Sequence, residues 1–135
     1  MDLDMTEIAQ ACLAAAETSE MTFPQIVGAL MQAGFESYAI DFRRATATYY
    51  TPDGDSVLLP TRRAEAPVAE AFDTDAIRSA IRDAQILSVG YTYAGFCARV
   101  IVAGCAGYIV SLLGRRVVYF GRTAELHVEH FPRPQ

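Results

Sequence analysis

The densest group of titratable side chains sits near the end of the chain, where Glu125, His127, Glu129 and His130 fall close together. In an extended strand His127 and Glu129 share one face and His130 points to the other. A histidine beside a carboxylate can work as a general acid or base near neutral pH. No nucleophile accompanies this pair, and a solvated edge strand with alternating polar residues accounts for the same pattern more simply. The three cysteines, Cys12, Cys97 and Cys105, form no paired-cysteine motif. With the two histidines on opposite strand faces, no metal centre and no cofactor site is expected. Small buried hydrophobes are the plainer account of the thiols.

Two tyrosines fall at matching places. Tyr38 alternates with Ile40 and Phe42, and Tyr108 with Val110 and Leu112. Either they are core residues whose hydroxyls need partners, or their hydroxyls face each other and line a pocket. Asp41 lies on the face opposite Tyr38, as a solvent-facing residue or as a site residue. Three arginine pairs, Arg43-Arg44, Arg62-Arg63 and Arg115-Arg116, would bind an anion only if their turns converged, and wet turn positions are the simpler expectation. Gly104 and Gly107 lack the lysine and the strand-loop-helix order of a phosphate-binding loop.

The elements that hold these residues occur twice. Displaced by 70 positions, Thr22–Tyr50 lies on Thr92–Phe120 without a gap, pairing Thr22 with Thr92, Gly34 with Gly104, Tyr38 with Tyr108 and Tyr49 with Tyr119. Apolar spacing predicts a first helix over about residues 4 to 18. Thr22 and Gln25 have capping-box spacing, Pro24 suits the first turn, and Gly34 suits a left-handed stop. Alternation then gives strands around Tyr38–Phe42 and Ala47–Tyr49, the turn Pro52-Asp53-Gly54-Asp55, and a short strand at Val57–Leu59. Asp73 can cap a helix with the stripe Ile77, Ala80, Ile81, Ala84. Val100-Ile101-Val102 has strand propensity, but its alignment with the second helix and the stop at Gly104 favour a helix. A second hairpin and a last strand at Leu126–Phe131 complete the pattern. The reading is an α+β fold of two pseudo-symmetric helix-helix-three-strand repeats packed as one domain with an antiparallel sheet. Repeat one covers about residues 4–60, a crossing segment 61–72, and repeat two about 73–132 of a single domain, 1–135.

Size and composition agree with one shared core. At 135 residues the chain can bury roughly two-thirds of its unfolded surface, whereas two halves on their own would be marginal. The net charge of −5, with arginine as the only basic residue beside the histidines, argues against nucleic-acid binding. An odd number of cysteines and an acidic start point to a reduced, cytoplasmic setting. The longest uncharged run, Val100–Gly114, is too short for a membrane helix, which needs about 20 residues.

Several of these residues together carry a resemblance: Tyr38-x-x-Asp41, Thr48-Tyr49-Tyr50, Ala76-Ile77-Arg78, Ala103 through Tyr108, Arg115 through Gly121, and Glu129-His130-Phe131-Pro132. The chain resembles a family of small bacterial proteins of unknown function, the YbcV-like class, some of whose members carry the label "phage envelope protein". The resemblance implies a compact α+β domain and brings no activity, ligand or catalytic residue with it. One position departs from expectation. Glycine is expected before the acidic residue that opens the last strand, as in Gly54-Asp55, but the chain has Ala124-Glu125, so that turn is expected to differ.

The leading functional expectation is a non-catalytic binding or protein-interaction module that self-associates, because apolar content is high and no catalytic constellation is present. The alternative is a small-molecule-binding protein or minor enzyme with a pocket at the seam between the repeats. Its expected lining is Tyr38, Asp41, Tyr108, Tyr119, His127 and Glu129. A phage structural component ranks a distant third.

Overall fold

A computed structural model describes residues 1–132. Helix α1 (Leu3–Glu17) starts at Asp2, whose carboxylate accepts the Met5 N–H, and α2 (Phe23–Ala33) starts at the reciprocal Thr22–Gln25 capping box. Gly34 ends α2 at φ +102°, a left-handed stop that glycine adopts without steric cost. Strands β1 (Ser37–Asp41), β2 (Thr46–Tyr50) and β3 (Ser56–Pro60) follow. The same order then recurs as α3 (Thr74–Gln85), α4 (Tyr93–Val102), β4 (Cys105–Ser111), β5 (Arg116–Gly121) and β6 (Leu126–His130). Val100–Val102 is helical: Thr92 caps α4, and Phe96, Val100 and Ile101 bury one side of it. The packing of that stripe outweighs the β propensity of three branched residues.

The six strands form one antiparallel sheet in the order β3-β2-β1-β4-β5-β6. The two halves therefore join at the β1–β4 ladder, where Tyr38 faces Val110 and Ile40 faces Tyr108. Alternate residues of each strand (Tyr38, Ile40, Ala47, Tyr49, Leu59, Tyr108, Val110, Val117 and Tyr119) enter a core shared with Leu30, Ile77, Ala80 and Val100 of the helices. The helices lie on this face alone, and the other face of the sheet is open.

The backbone repeats more closely than the side chains. Left-handed residues recur 70 positions apart: Gly34 with Gly104, Ala45 (φ +55°) with Arg115 (+53°), and Gly54 (+90°) with Ala124 (+63°). The last pair corrects the expectation for the final turn. Thr51 N–H bonds Asp55 O, Gly121 N–H bonds Glu125 O, and both bonds are 2.9 Å. The turn is the same in both halves. Pairing of β5 with β6 holds Ala124 in a conformation its Cβ disfavours.

The crossing segment runs from β3 to α3 along the ends of the strands. Ala69 N–H bonds Ile101 O at 3.2 Å, Asp73 N–H bonds Ala103 O at 2.7 Å, and the Arg122 guanidinium bonds Val68 O at 3.2 Å. Val68 is buried against Ile101 and Ala106, which anchors the segment on the second half.

Candidate functional site

The halves leave a cleft where they meet. α1 and α4 approach each other over the sheet, and the Tyr93 N–H donates to Ser19 Oγ at 3.1 Å. Beneath them, a cleft of about 410 Å³ opens between Leu13 and Glu17 of α1, Ile40 and Phe42 at the end of β1, residues 61–66, and Tyr93, Cys97 and Ile101 of α4. The outer wall is tied down by Glu17, whose Oε2 accepts the Arg62 N–H at 2.8 Å, and by Arg63, which donates to Arg43 O at 3.3 Å. The lining is mainly apolar. Its polar lining residues are Thr61, Tyr93 and Cys97, with Glu17, Arg62, Arg63 and Glu65.

The hydroxyls of Tyr93 and Tyr108 lie 2.7 Å apart. Burial pushes both phenols well above their ordinary range and raises the Cys97 thiol to about 12. Desolvation disfavours the charged form, so all three stay neutral at physiological pH. A neutral thiol is a poor nucleophile, and none of these groups is set up for proton transfer. The cleft offers shape, apolar surface and hydrogen-bonding groups.

Beside the cleft the two halves differ in side-chain volume at one equivalent backbone position. Thr61 N–H bonds Ala45 O at 2.9 Å, and 70 positions later Phe131 N–H bonds Arg115 O at 2.8 Å, so Thr61 and Phe131 occupy equivalent backbone positions. The Phe131 ring meets Phe23 edge-on with centroids 5.6 Å apart, and the Arg115 guanidinium covers it. Phe23 is the counterpart of Tyr93. One half thus places a phenyl ring where the other has a threonine, and space remains between Thr61 and Tyr93.

The six residues expected to line a seam pocket go to three places. Tyr38, Tyr108 and Tyr119 are buried on the helix-covered face, Tyr38 stacked on Tyr49 at 5.3 Å and Tyr108 beside Tyr119 at 5.5 Å. Of these, Tyr108 supports the cleft through its bond to Tyr93. Asp41 lies on the opposite face and organises the β1–β2 turn, its Oδ1 accepting the N–H groups of Arg43 (2.9 Å) and Arg44 (3.0 Å). Its counterpart Ser111 does the same for Gly114 at 2.8 Å. His127 and Glu129 border a separate groove of about 370 Å³ with Arg78, Arg82 and Gln85 of α3. There His127 Nε2 is buried without a hydrogen-bond partner among the described residues, 3.4 Å from Glu129 Oε1. Among the described residues no serine, threonine or cysteine lines this groove. Of the cleft residues, sequence reasoning considers Arg62 and Cys97 only for anion and metal binding and passes over Glu17, Thr61 and Tyr93. A signal lies beyond the aligned stretches: carried past Tyr50, the same displacement of 70 sets Thr61 against Phe131.

Among the described residues no three His, Cys, Asp or Glu side chains gather to hold a metal ion, and no helix is long and apolar enough to cross a membrane. No curated protein matches the chain. A family model described as "Protein of unknown function (DUF1398)" matches residues 10–130, nearly the whole length, and the chain belongs to that family.

Proposed function

We propose that this chain is a non-catalytic binding protein that holds a small, mainly apolar molecule in the cleft between α1, α4 and residues 61–66. The observation that carries this reading is the space left at Thr61, where the equivalent position in the other half is filled by Phe131. The cleft's volume and apolar lining with a few convergent polar groups suit a small ligand. Tyr93 supplies a hydroxyl for one acceptor or donor on that ligand, and no activated nucleophile stands beside it. Three free thiols suit the reducing cytoplasm as the place of action.

Titration with the fluorescent apolar probe 1-anilinonaphthalene-8-sulfonate tests this directly, with decanol as competitor. The native chain should give a saturable signal that decanol displaces, and decanol should raise the melting temperature. Thr61→Phe, which copies the other half, should weaken probe binding at least about tenfold while the protein stays folded. Equal binding by the native and Thr61→Phe proteins, or no effect of decanol on either signal, would overturn the assignment.

A further inference from the structure

At β6 the helix-covered face of the sheet turns polar. His127 stands opposite Tyr119 and Glu129 opposite Val117, so both share the face that carries the core. Their counterparts in the first half, Val57 opposite Tyr49 and Leu59 opposite Ala47, are apolar and pack on that core. His127 is no solvated edge residue: its side chain is only 17% exposed, and its Nε2 is the buried atom without a partner among the described residues. An unpaired buried polar atom is costly, and a valine here would avoid the cost. Arg78, Arg82 and Gln85 of α3 form the facing side of the groove. The arginines too are particular to this half. Matched by their buried stripes, Ala9, Cys12 and Leu13 of α1 with Ile77, Ala80 and Ile81 of α3, the first half has Gln10 and Ala14 at their places. Two cations one helical turn apart repel each other. Among the described residues neither pairs with a carboxylate: Asp83 is taken by Arg99, and Glu129 lies against His127. The helix dipole accounts for Arg82 in the last turn but not for Arg78 a turn earlier.

We propose that the groove between α3 and β6 binds a small carboxylate whose chain carries hydroxyl or amino groups. The guanidinium forks of Arg78 and Arg82 match the two oxygens of a carboxylate. Charge sets the class of anion. Two arginines against Glu129 leave one positive charge to balance, which a single carboxylate does; a phosphate dianion would bring excess negative charge beside Glu129. The rest of the lining asks for donors. Glu129 and the Gln85 side-chain carbonyl accept hydrogen bonds, and His127 Nε2 lacks a partner that a polar ligand atom would supply. Val128 is the one apolar residue among the described lining residues, so a hydrocarbon chain gains little here. In this the groove is the opposite of the cleft at Thr61, and the two sites take different molecules. Its volume of about 370 Å³ leaves room for a metabolite-sized ligand.

The test is a nuclear magnetic resonance titration of the ¹⁵N-labelled full chain with gluconate, L-serine, hexanoate and inorganic phosphate, each to about 50 mM. Gluconate or serine should shift the amides of His127, Val128 and the last turns of α3 saturably. Which of the two binds identifies the donor as hydroxyl or ammonium. Hexanoate, which has the carboxylate without donors, and phosphate should bind at least about tenfold more weakly. Arg78→Gln and Arg82→Gln keep helix propensity and should each weaken binding about tenfold or more. His127→Val, which copies Val57, should weaken it as well without lowering Tm. Arg116→Gln, on the other face of the sheet, should change nothing. Circular dichroism confirms that each variant is folded. No saturable shift with gluconate or serine, equal binding of hexanoate or phosphate, or native affinity in both α3 arginine variants would overturn the proposal. The result is independent of the cleft: Thr61→Phe should bind as the native chain does, and Arg82→Gln should keep the fluorescent signal that decanol displaces.

Discussion

Gly34 and Gly104 offer a paired measurement of how the crossing segment is held. Their backbones match: φ is +102° and +94°, and each N–H bonds the carbonyl three residues earlier at 3.1 Å. A methyl group at either site incurs the left-handed penalty, about 1–2 kcal/mol. At Gly34 it would meet only the Met5 terminal methyl at 3.6 Å, an ordinary contact. At Gly104 it would lie 2.0 Å from Ala71 O and 2.9 Å from Phe72 Cα. Those are backbone atoms, and restoring normal contact moves them by about 1 Å or more. That shift takes with it the Ala69–Ile101 and Asp73–Ala103 hydrogen bonds, each worth about 1 kcal/mol net. Gly34→Ala should therefore cost about 1–2 kcal/mol and Gly104→Ala about 3–4 kcal/mol, a large share of the roughly 5–15 kcal/mol that holds such a domain. Urea denaturation followed by far-ultraviolet circular dichroism reads both, as a fall in midpoint at constant slope. Equal losses at the two glycines would refute the claim that the crossing segment is packed tightly against the second half.

Three further outcomes follow from the same geometry. Ala124→Gly relieves a left-handed alanine at φ +63° but gives the unfolded chain more freedom, so it should stabilise by about 0.5 kcal/mol, a rise of about 2 °C in Tm; a lower Tm would count against a strained turn. Stability should fall as the solution becomes alkaline, because burial raises Cys97 to about 12 and Cys105 to about 11, while unfolded thiols lose their protons near pH 8.5. Above that pH the unfolded chain binds fewer protons than the folded one, so the urea midpoint should drop progressively, and Cys97→Ala should flatten the drop. Asp41→Ala leaves two exposed turn N–H groups to water and should cost about 1 kcal/mol, whereas Asp41→Ser copies Ser111 and should cost less. Neither Asp41 variant should alter probe binding, and a loss there would place Asp41 in the cleft after all.

Most of the elements were legible because their ends are written locally. Thr22 with Gln25, Asp73 before its apolar stripe, and Gly34 and Gly104 each specify a backbone state that few other residues would favour. The displaced alignment then settled Val100–Val102, which propensity alone would have made a strand. The last turn shows where local reading fails. Alanine argues against a left-handed residue at position 124, but the β5–β6 ladder fixes the turn's length, and the alanine adapts. Asp41 was placed on the correct face, yet its role lies with backbone N–H groups that alternation cannot reveal. His127 and Glu129 were read as one strand's pair. Their other neighbours, Arg78 and Arg82, arrive from α3 through tertiary packing.

The candidate cleft was hard to read for a different physical reason: it is made by missing volume. A residue that lines a site announces itself by its chemistry, but Thr61 matters for the phenyl ring it does not carry. Only comparison with Phe131 exposes that, and the comparison has force because the backbones around the two positions make the same hydrogen bond. The repeat thus supplies its own control. Where the halves agree, in caps, turns and strand register, the agreement reports what the fold requires. Where they differ, the fold has tolerated a change, and the differences are not scattered. Phe131 packs on Phe23 in one half while Thr61 leaves space beside Tyr93 in the other, and the crossing segment that walls the open side is fastened by the Arg62 N–H on Glu17, by Val68 in its apolar niche, and by the close fit of Gly104 beneath Ala71. Packing alone would favour filling both grooves, since a void forfeits contacts on every side. On the proposed binding role the open cleft has a use that packing alone does not supply, and the Thr61→Phe protein should be both at least as stable as the native chain and unable to hold the probe.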